Sequence, residues 1–266
     1  MDVRFGASVE EFLEYLAYFS LDHLELKREY LEGHPDTPTA AELGDLADRY
    51  DISVTYHAPF RDWNMGSFND QVRRASVEQV KGSLDDAASA GAGAVVVHGG
   101  SVPHRYPDWV REKAAANARQ SLIECAEYAR SVGVPLCLEN QPQSDVKHRY
   151  TTTPDDLADA LAGVSVDAEH LGVTLDVGHA KANGYDWENF ADRFGDRIRV
   201  CHLHDNDGTG DHHDPLTDYQ EIVETVPADY FVFEMKSIDD VARCVEADVP
   251  TFDVAPTLGG DVSIDG

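Results

Sequence analysis

Thr174-Leu175-Asp176-Val177-Gly178-His179 and, one unit later, Cys201-His202-Leu203-His204-Asp205 with Asp211-His212-His213-Asp214 decide how this chain reads. In each case an apolar run leads directly into an ionisable residue, Asp176 in the first and His202 in the second. A nearly continuous apolar run suits a strand covered on both faces, as in parallel sheets. An ionisable group at the end of such a strand is costly to bury unless it is paired or bound to metal. Asp and His at this density therefore read as half of a metal site, with the remaining sequence as its scaffold.

The same alternation of apolar runs and amphipathic segments extends outward in both directions. Strands are expected at 3–7, 23–26, 52–57, 94–98, 135–139, 172–176, 198–204 and 230–235, with helices between them. The helix expected over 69–90 carries Val72, Ser76, Val80, Leu84 and Ala87 at helical spacing. The next, over 107–131, carries Val110, Ala114, Ala118, Leu122 and Ala126. Thr153 before Pro154 and Ser237 before Ile238 are expected helix caps. Eight strand–helix units are the number at which a parallel sheet closes, so the expected fold class is α/β, a single-domain (β/α)8 TIM barrel over residues 1–250. An open doubly wound sheet is the alternative, disfavoured because no glycine-rich turn follows the first strand. Residues 251–266 are polar and acidic and are expected to form a C-terminal tail.

Composition bounds the function. The 266 residues hold 50 acidic and 21 basic side chains, a formal net charge of −29, with 32 Asp to 18 Glu and only 6 Lys. Acids scattered over the whole chain suit the surface of a protein adapted to a salt-rich, halophilic cytoplasm, and they disfavour nucleic acid as a partner. No apolar stretch is long enough to span a membrane and no signal-peptide core opens the chain, so a cytoplasmic protein is expected. The four cysteines form no C-x-x-C pair and read as small buried hydrophobes.

Six expected strands end on a potential ligand: His57, His98, Glu139, Asp176, His202 and Glu234. The carboxyl ends of barrel strands are where catalytic groups converge. His179, Asp211 and His213 add three more groups. Imidazole mixed with carboxylate suits Zn²⁺ or Mn²⁺, and nine ligands could serve one to three ions. His204 shares a strand face with His202 and is an expected substrate contact, as is Trp63. Phe60 and Trp109 are further candidate walls for a sugar's apolar faces.

These motifs resemble the xylose isomerase-like TIM-barrel superfamily, which includes sugar isomerases and epimerases and endonuclease IV. They are His57-Ala58-Pro59-Phe60, Val97-His98-Gly99-Gly100, Leu138-Glu139-Asn140, Leu175-Asp176-Val177-Gly178-His179, His202-Leu203-His204-Asp205-Asn206-Asp207-Gly208, Asp211-His212-His213 and Phe233-Glu234. In the epimerase branch the resemblance implies one ion on Glu139, Asp176, His202 and Glu234. The two glutamates double there as the acid–base pair of an enediolate mechanism, and His179 touches the substrate. In the endonuclease branch it implies three zinc ions on His57, His98, Glu139, Asp176, His179, His202, Asp211, His213 and Glu234. His23-Leu24-Glu25-Leu26-Lys27, Phe60 and Asp205-Asn206-Asp207-Gly208 look more like the isomerases. Pro215-Leu216-Thr217-Asp218 departs from the family at the rim. The expected activity is a sugar or sugar phosphate isomerase or epimerase, with an abasic-DNA endonuclease as the alternative and DNA a partner only in that case.

Overall fold

The computed structural model describes residues 9–32 and 37–250. The strand expected at 3–7 and the tail from 251 lie outside these residues. Seven parallel strands form one sheet in the order β1 (His23–Lys27), β2 (Ser53–His57), β3 (Val95–His98), β5 (Leu136–Glu139), β7 (Leu171–Asp176), β8 (Ile198–Leu203) and β9 (Tyr230–Phe233). The sheet curls until its first and last strands approach one another, which gives a TIM barrel with helices on its outer face. A separate antiparallel ribbon joins β4 (Ser101–Pro103) to β6 (Lys147–Arg149). No described helix is long and apolar enough to cross a membrane.

Several helix ends carry the capping residues their sequence provides. Helix α1 (Val9–Phe19) buries Phe12, Leu16 and Phe19, and α2 (Arg28–Glu32) is a single turn after β1. Helix α3 (Ala40–Tyr50) has a Thr39–Glu42 capping box. Asn69 caps α4 (Asp70–Ala90), and α5 (Asp108–Val132) follows Pro107; Gly91 and Gly133 end them in the left-handed region. Thr153 caps α6 (Pro154–Ala162), Asp176 caps α7 (Val177–Ala182), and α8 (Trp187–Phe194) follows Asp186. Helix α9 (Gln220–Thr225) precedes β9, and Ser237 caps α10 (Ile238–Cys244). Of the α4 stripe, Val72 in the first turn is the exception: it is 38% exposed. The four cysteines are free and buried.

The barrel interior is layered by strand alternation. Ala94, Val96, Cys137, Val200 and Val232 form a small apolar cluster of their own, distinct from the large core between strands and helices. Two residues further along, on the same strand faces, stand His98, Glu139, His202 and Glu234. On β1 and β2 the inner column is polar throughout. His23 lies 2.8 Å from Ser53 Oγ and 3.0 Å from Thr55 Oγ1, and Thr55 donates to Glu25 at 3.2 Å. An apolar plug thus supports a charged mouth.

Candidate active site

Parallel register delivers the strand ends to one level. Lys27 pairs with His57, His98 with Glu139, and Asp176 with His202. Glu234 follows β9 directly, and its N–H donates to Leu203 at 3.3 Å. His179 arrives one turn into α7, where its N–H donates to the Asp176 carboxylate at 2.6 Å. Asp211 and His213 come from the loop after β8. Reciprocal bonds between Asp205 and Asp214 at 2.7 and 2.8 Å close that loop, and Asn206 Nδ2 ties it to the Gly178 carbonyl at 2.7 Å. His213 sits at φ 51°, an uncommon backbone state for a non-glycine residue and one that clusters at functional sites.

All nine expected ligands meet here, in three adjoining groups whose ligand atoms lie within 4.8 Å of one another. Glu139, Asp176, His202 and Glu234 form one. His57, His98 and Glu139 form the second, and His179, His204, Asp211 and His213 the third. Glu139 is common to two of them. Asp176 and His202 are sealed from solvent, whereas Glu139, Glu234, His57, His98, His179, Asp211 and His213 all line a cavity of about 720 Å³.

Ring nitrogens are oriented by their outer partners. His57 Nδ1 lies 2.8 Å from the Ala58 carbonyl, His179 Nδ1 2.9 Å from that of Asn140, and His213 Nδ1 2.8 Å from that of Glu234. A carbonyl only accepts, so the proton sits on Nδ1 and Nε2 faces the carboxylates, as metal-ligating imidazoles are arranged. His202 is turned the other way: Nε2 lies 3.2 Å from Glu25, leaving Nδ1 toward the cluster. That Nδ1 is 3.3 Å from Glu234, 3.6 Å from Glu139 and 3.6 Å from Asp176, yet it has no hydrogen-bond partner among the described residues. Glu139 Oε2, 2.9 Å from His98 and 3.5 Å from His57, is likewise without one. Buried polar atoms are rarely left so. A donor set of three carboxylates and a ring nitrogen converging on one point fits a divalent cation of the Zn²⁺ or Mn²⁺ kind.

The charges sustain one another. Burial would neutralise Glu139, but His98, His179, His202 and His57 hold its carboxyl well below the usual range. Burial acts on Glu234 in the same sense and is outweighed by Lys27 and His202. For His179 burial opposes the charge, and the carboxylates of Asp176, Asp211 and Glu139 overcome it and raise the pKa.

Other expected site residues fall in different places. Trp63 and Phe60 line the cavity, and Phe60 packs on the rings of His57 and His98 at 5.1 and 4.7 Å. Trp109 does not; it is 68% exposed in the first turn of α5, away from the cavity lining. His204 lies below the cavity, 1% exposed, with Nε2 2.9 Å from Asp176 and its ring stacked 4.1 Å from that of His213. Its surroundings suit orienting a ligand better than touching a substrate. His212 is outside the cluster, 3.3 Å from Asp207.

Three residues that hold the ligands are not among those expected. Glu25 is fully buried against His202, and Lys27 is buried in an ion pair with Glu234. Their signal is two charged residues at a spacing of two, alternating with Leu24 and Leu26. Asn140 brackets Asp176 from both sides, its Nδ2 donating to the Asp176 carbonyl and its Oδ1 accepting from the Asp176 N–H, both at 2.8 Å.

Comparison with known proteins agrees with this geometry. A family model described as a xylose isomerase-like TIM barrel matches residues 14–247. The chain is 32% identical over 226 residues to uncharacterized protein MJ1311 of Methanocaldococcus jannaschii, covering 80% of this chain and 74% of that one. It is 26% identical to the fructoselysine 3-epimerase of Escherichia coli O157:H7, over 65% of this chain and 61% of the relative. To a probable endonuclease 4 of Mycobacterium leprae it is 31% identical, over 65% and 66%. Among solved structures, a D-tagatose 3-epimerase-like protein superposes with a TM-score of 0.77 at 28% identity, covering 92% of this chain and 95% of that one. With its barrel, its ring of strand-end ligands and a family match over nearly its whole described length, the chain belongs to the xylose isomerase-like TIM-barrel family.

Proposed function

We propose that this protein is a divalent-metal-dependent isomerase or epimerase of a sugar, working by proton transfer at the carbon beside a carbonyl. One observation carries the reading. Of the four residues in the central cluster, only Glu139 and Glu234 reach the cavity, while Asp176 and His202 are closed off beneath them. Two carboxylates from different strands, open to a chamber of sugar size, are what a reaction needs if one group removes a proton and another returns it. The relatives named as sugar epimerases support the same class.

Glu139, Asp176, His202 and Glu234 would hold the ion. When bound, a cation there supplies Lewis-acid polarisation of a carbonyl and the neighbouring hydroxyl, which acidifies the C–H between them. The protein supplies the rest. Lys27 and the surrounding imidazoles keep both glutamates ionised, so either can accept the proton. Trp63 and Phe60 offer flat walls to the sugar's carbon face, and His179 a ring nitrogen to a hydroxyl. His204 is assigned to positioning Asp176. The acidic surface supports operation in a salt-rich cytoplasm.

Incubation with a panel of ketoses and ketose phosphates in deuterated water tests this. Deuterium should enter at the carbon beside the carbonyl, and Glu139→Gln or Glu234→Gln should slow that exchange about 10²- to 10⁴-fold. No exchange with any member of the panel would overturn the reading.

A second reading has one observation in its favour: the three ligand groups adjoin, and together they hold every member of a three-zinc set. That would suit phosphodiester hydrolysis at abasic DNA, and a probable endonuclease 4 is among the relatives. A net charge of −29 opposes the approach of a polyanion. Incision of an abasic duplex at high salt would establish it.

A further inference from the structure

The ribbon of β4 and β6 stands outside the barrel and turns one face to the cavity. Ser101 pairs with Arg149 and Pro103 with Lys147, and all four line it. Between them alternation sends Val102 into the core and His148 to a separate, smaller cleft. Two cations, two residues apart, therefore share the cavity face.

Neither is ion-paired among the described residues, in a chain where acids outnumber bases by more than two to one. Away from the cavity, Arg28, Lys81, Lys181, Arg193 and Arg199 each have a carboxylate partner. Arg149 is half-buried, and its Nη1 donates to the Pro142 carbonyl at 2.7 Å, which fixes the guanidinium plane. Burial lowers its pKa, with Asp211 and Glu139 only partly offsetting this. A desolvated, oriented guanidinium without a carboxylate is a site prepared for an external anion. A neutral hydroxyl would not offset that charge.

We infer that Arg149 and Lys147 form a subsite for the phosphate group of a phosphorylated sugar, so that the substrate class is a ketose phosphate and not a free ketose. The inference rests on the sugar reading above and names its substrate. Two cations match a dianion, and the guanidinium fork matches two phosphate oxygens. The carboxylates of Glu139, Asp211 and Glu234 repel a phosphate from the other lining of the chamber, so the ribbon also sets which end of the sugar faces the glutamates. A sugar acid would offer the same fork with half the charge.

Titration calorimetry on the full chain at one fixed salt concentration tests this with a ketohexose phosphate, the same ketohexose and the corresponding sugar acid. The phosphate should bind at least about 10-fold more tightly than the other two, and Arg149→Met should reduce that preference about 10- to 100-fold, with Arg149→Lys recovering part of it. Lys147 is exposed, so Lys147→Gln gives a second test should Arg149→Met, which loses its bond to Pro142, fail to fold. Equal affinity for the three ligands, or a preference untouched by the substitutions, would overturn the subsite; a sugar acid bound as tightly as the phosphate would overturn the substrate class. If no sugar binds or exchanges, inorganic phosphate separates the two claims. Binding that weakens in the variants keeps the subsite while the sugar reading falls, and no phosphate binding removes the subsite.

Discussion

At the scale of single residues, the site depends on groups that hold its ligands as much as on the ligands themselves. Glu25 is fully buried and takes the outer nitrogen of His202 at 3.2 Å. It thereby fixes which nitrogen faces the three carboxylates. Replacing it by Gln keeps the shape but removes the charge that steadies the ring, and such partners typically contribute 10- to 100-fold to metal affinity. Glu25→Gln should therefore weaken divalent-cation binding by about that factor in a competitive chelator titration, with the melting curve of the apo-protein little changed. Gly178 is constrained differently. A Cβ there would lie 2.1 Å from His204 Cε1, and that ring is locked between Asp176 and His213. Gly178→Ala should push His204 off Asp176 and lower metal affinity by more than Ala substitution at Gly210, where a Cβ meets nothing closer than 3.4 Å, does. Equal effects at the two glycines would mean that His204 does not position Asp176.

At the scale of elements, legibility follows length and pattern. Strands such as 135–139 and 172–176 announce themselves because a largely apolar run leads into one carboxylate, and the same feature marks Glu139 and Asp176 as ligands. Helix α7 is harder to read: it is six residues long, and Val177-Gly178 looks like a turn, so His179 is recognisable from its motif but not from helical period. The ribbon strands are three residues each, too short for alternation to register, and the cationic wall they carry goes unread with them. Strand β1 hides its contribution for another reason. Its alternation is Leu outward and His23, Glu25, Lys27 inward, the mirror of a half-exposed strand, and only closure of the barrel shows that the polar side is the inside. That inner column has a consequence for acid stability. Burial lowers the His23 pKa from 6.5 to about 3, so the folded chain keeps this ring neutral. Above pH 6.5 both folded and unfolded chains leave it neutral and it contributes no pH dependence. As pH falls from 6.5 towards 3 only the unfolded chain takes up the proton, and stability declines by up to about 1.4 kcal/mol per pH unit. Urea midpoints measured across that window should fall less steeply for His23→Gln than for the parent; parallel slopes would mean the ring is not held neutral.

For the whole molecule, charge is the dominant fact. A surface carrying −29 repels itself, and only screening allows it to stay compact. The melting midpoint should rise as KCl is taken from about 0.1 M to about 3 M, and a midpoint indifferent to salt would contradict the reading of the acids as salt adaptation. Against that background the cavity combines two kinds of charge, carboxylates that call for a cation and a ribbon that calls for an anion. The proposed chemistry depends on residues far apart in sequence converging at one mouth of the barrel to hold a metal. Elemental analysis of the purified chain, beside Asp176→Asn, tests this most directly. The parent should carry about one divalent ion per chain and the variant should lose it. A parent chain that retains no ion after incubation with Zn²⁺ or Mn²⁺, or a variant that retains as much as the parent, would contradict it.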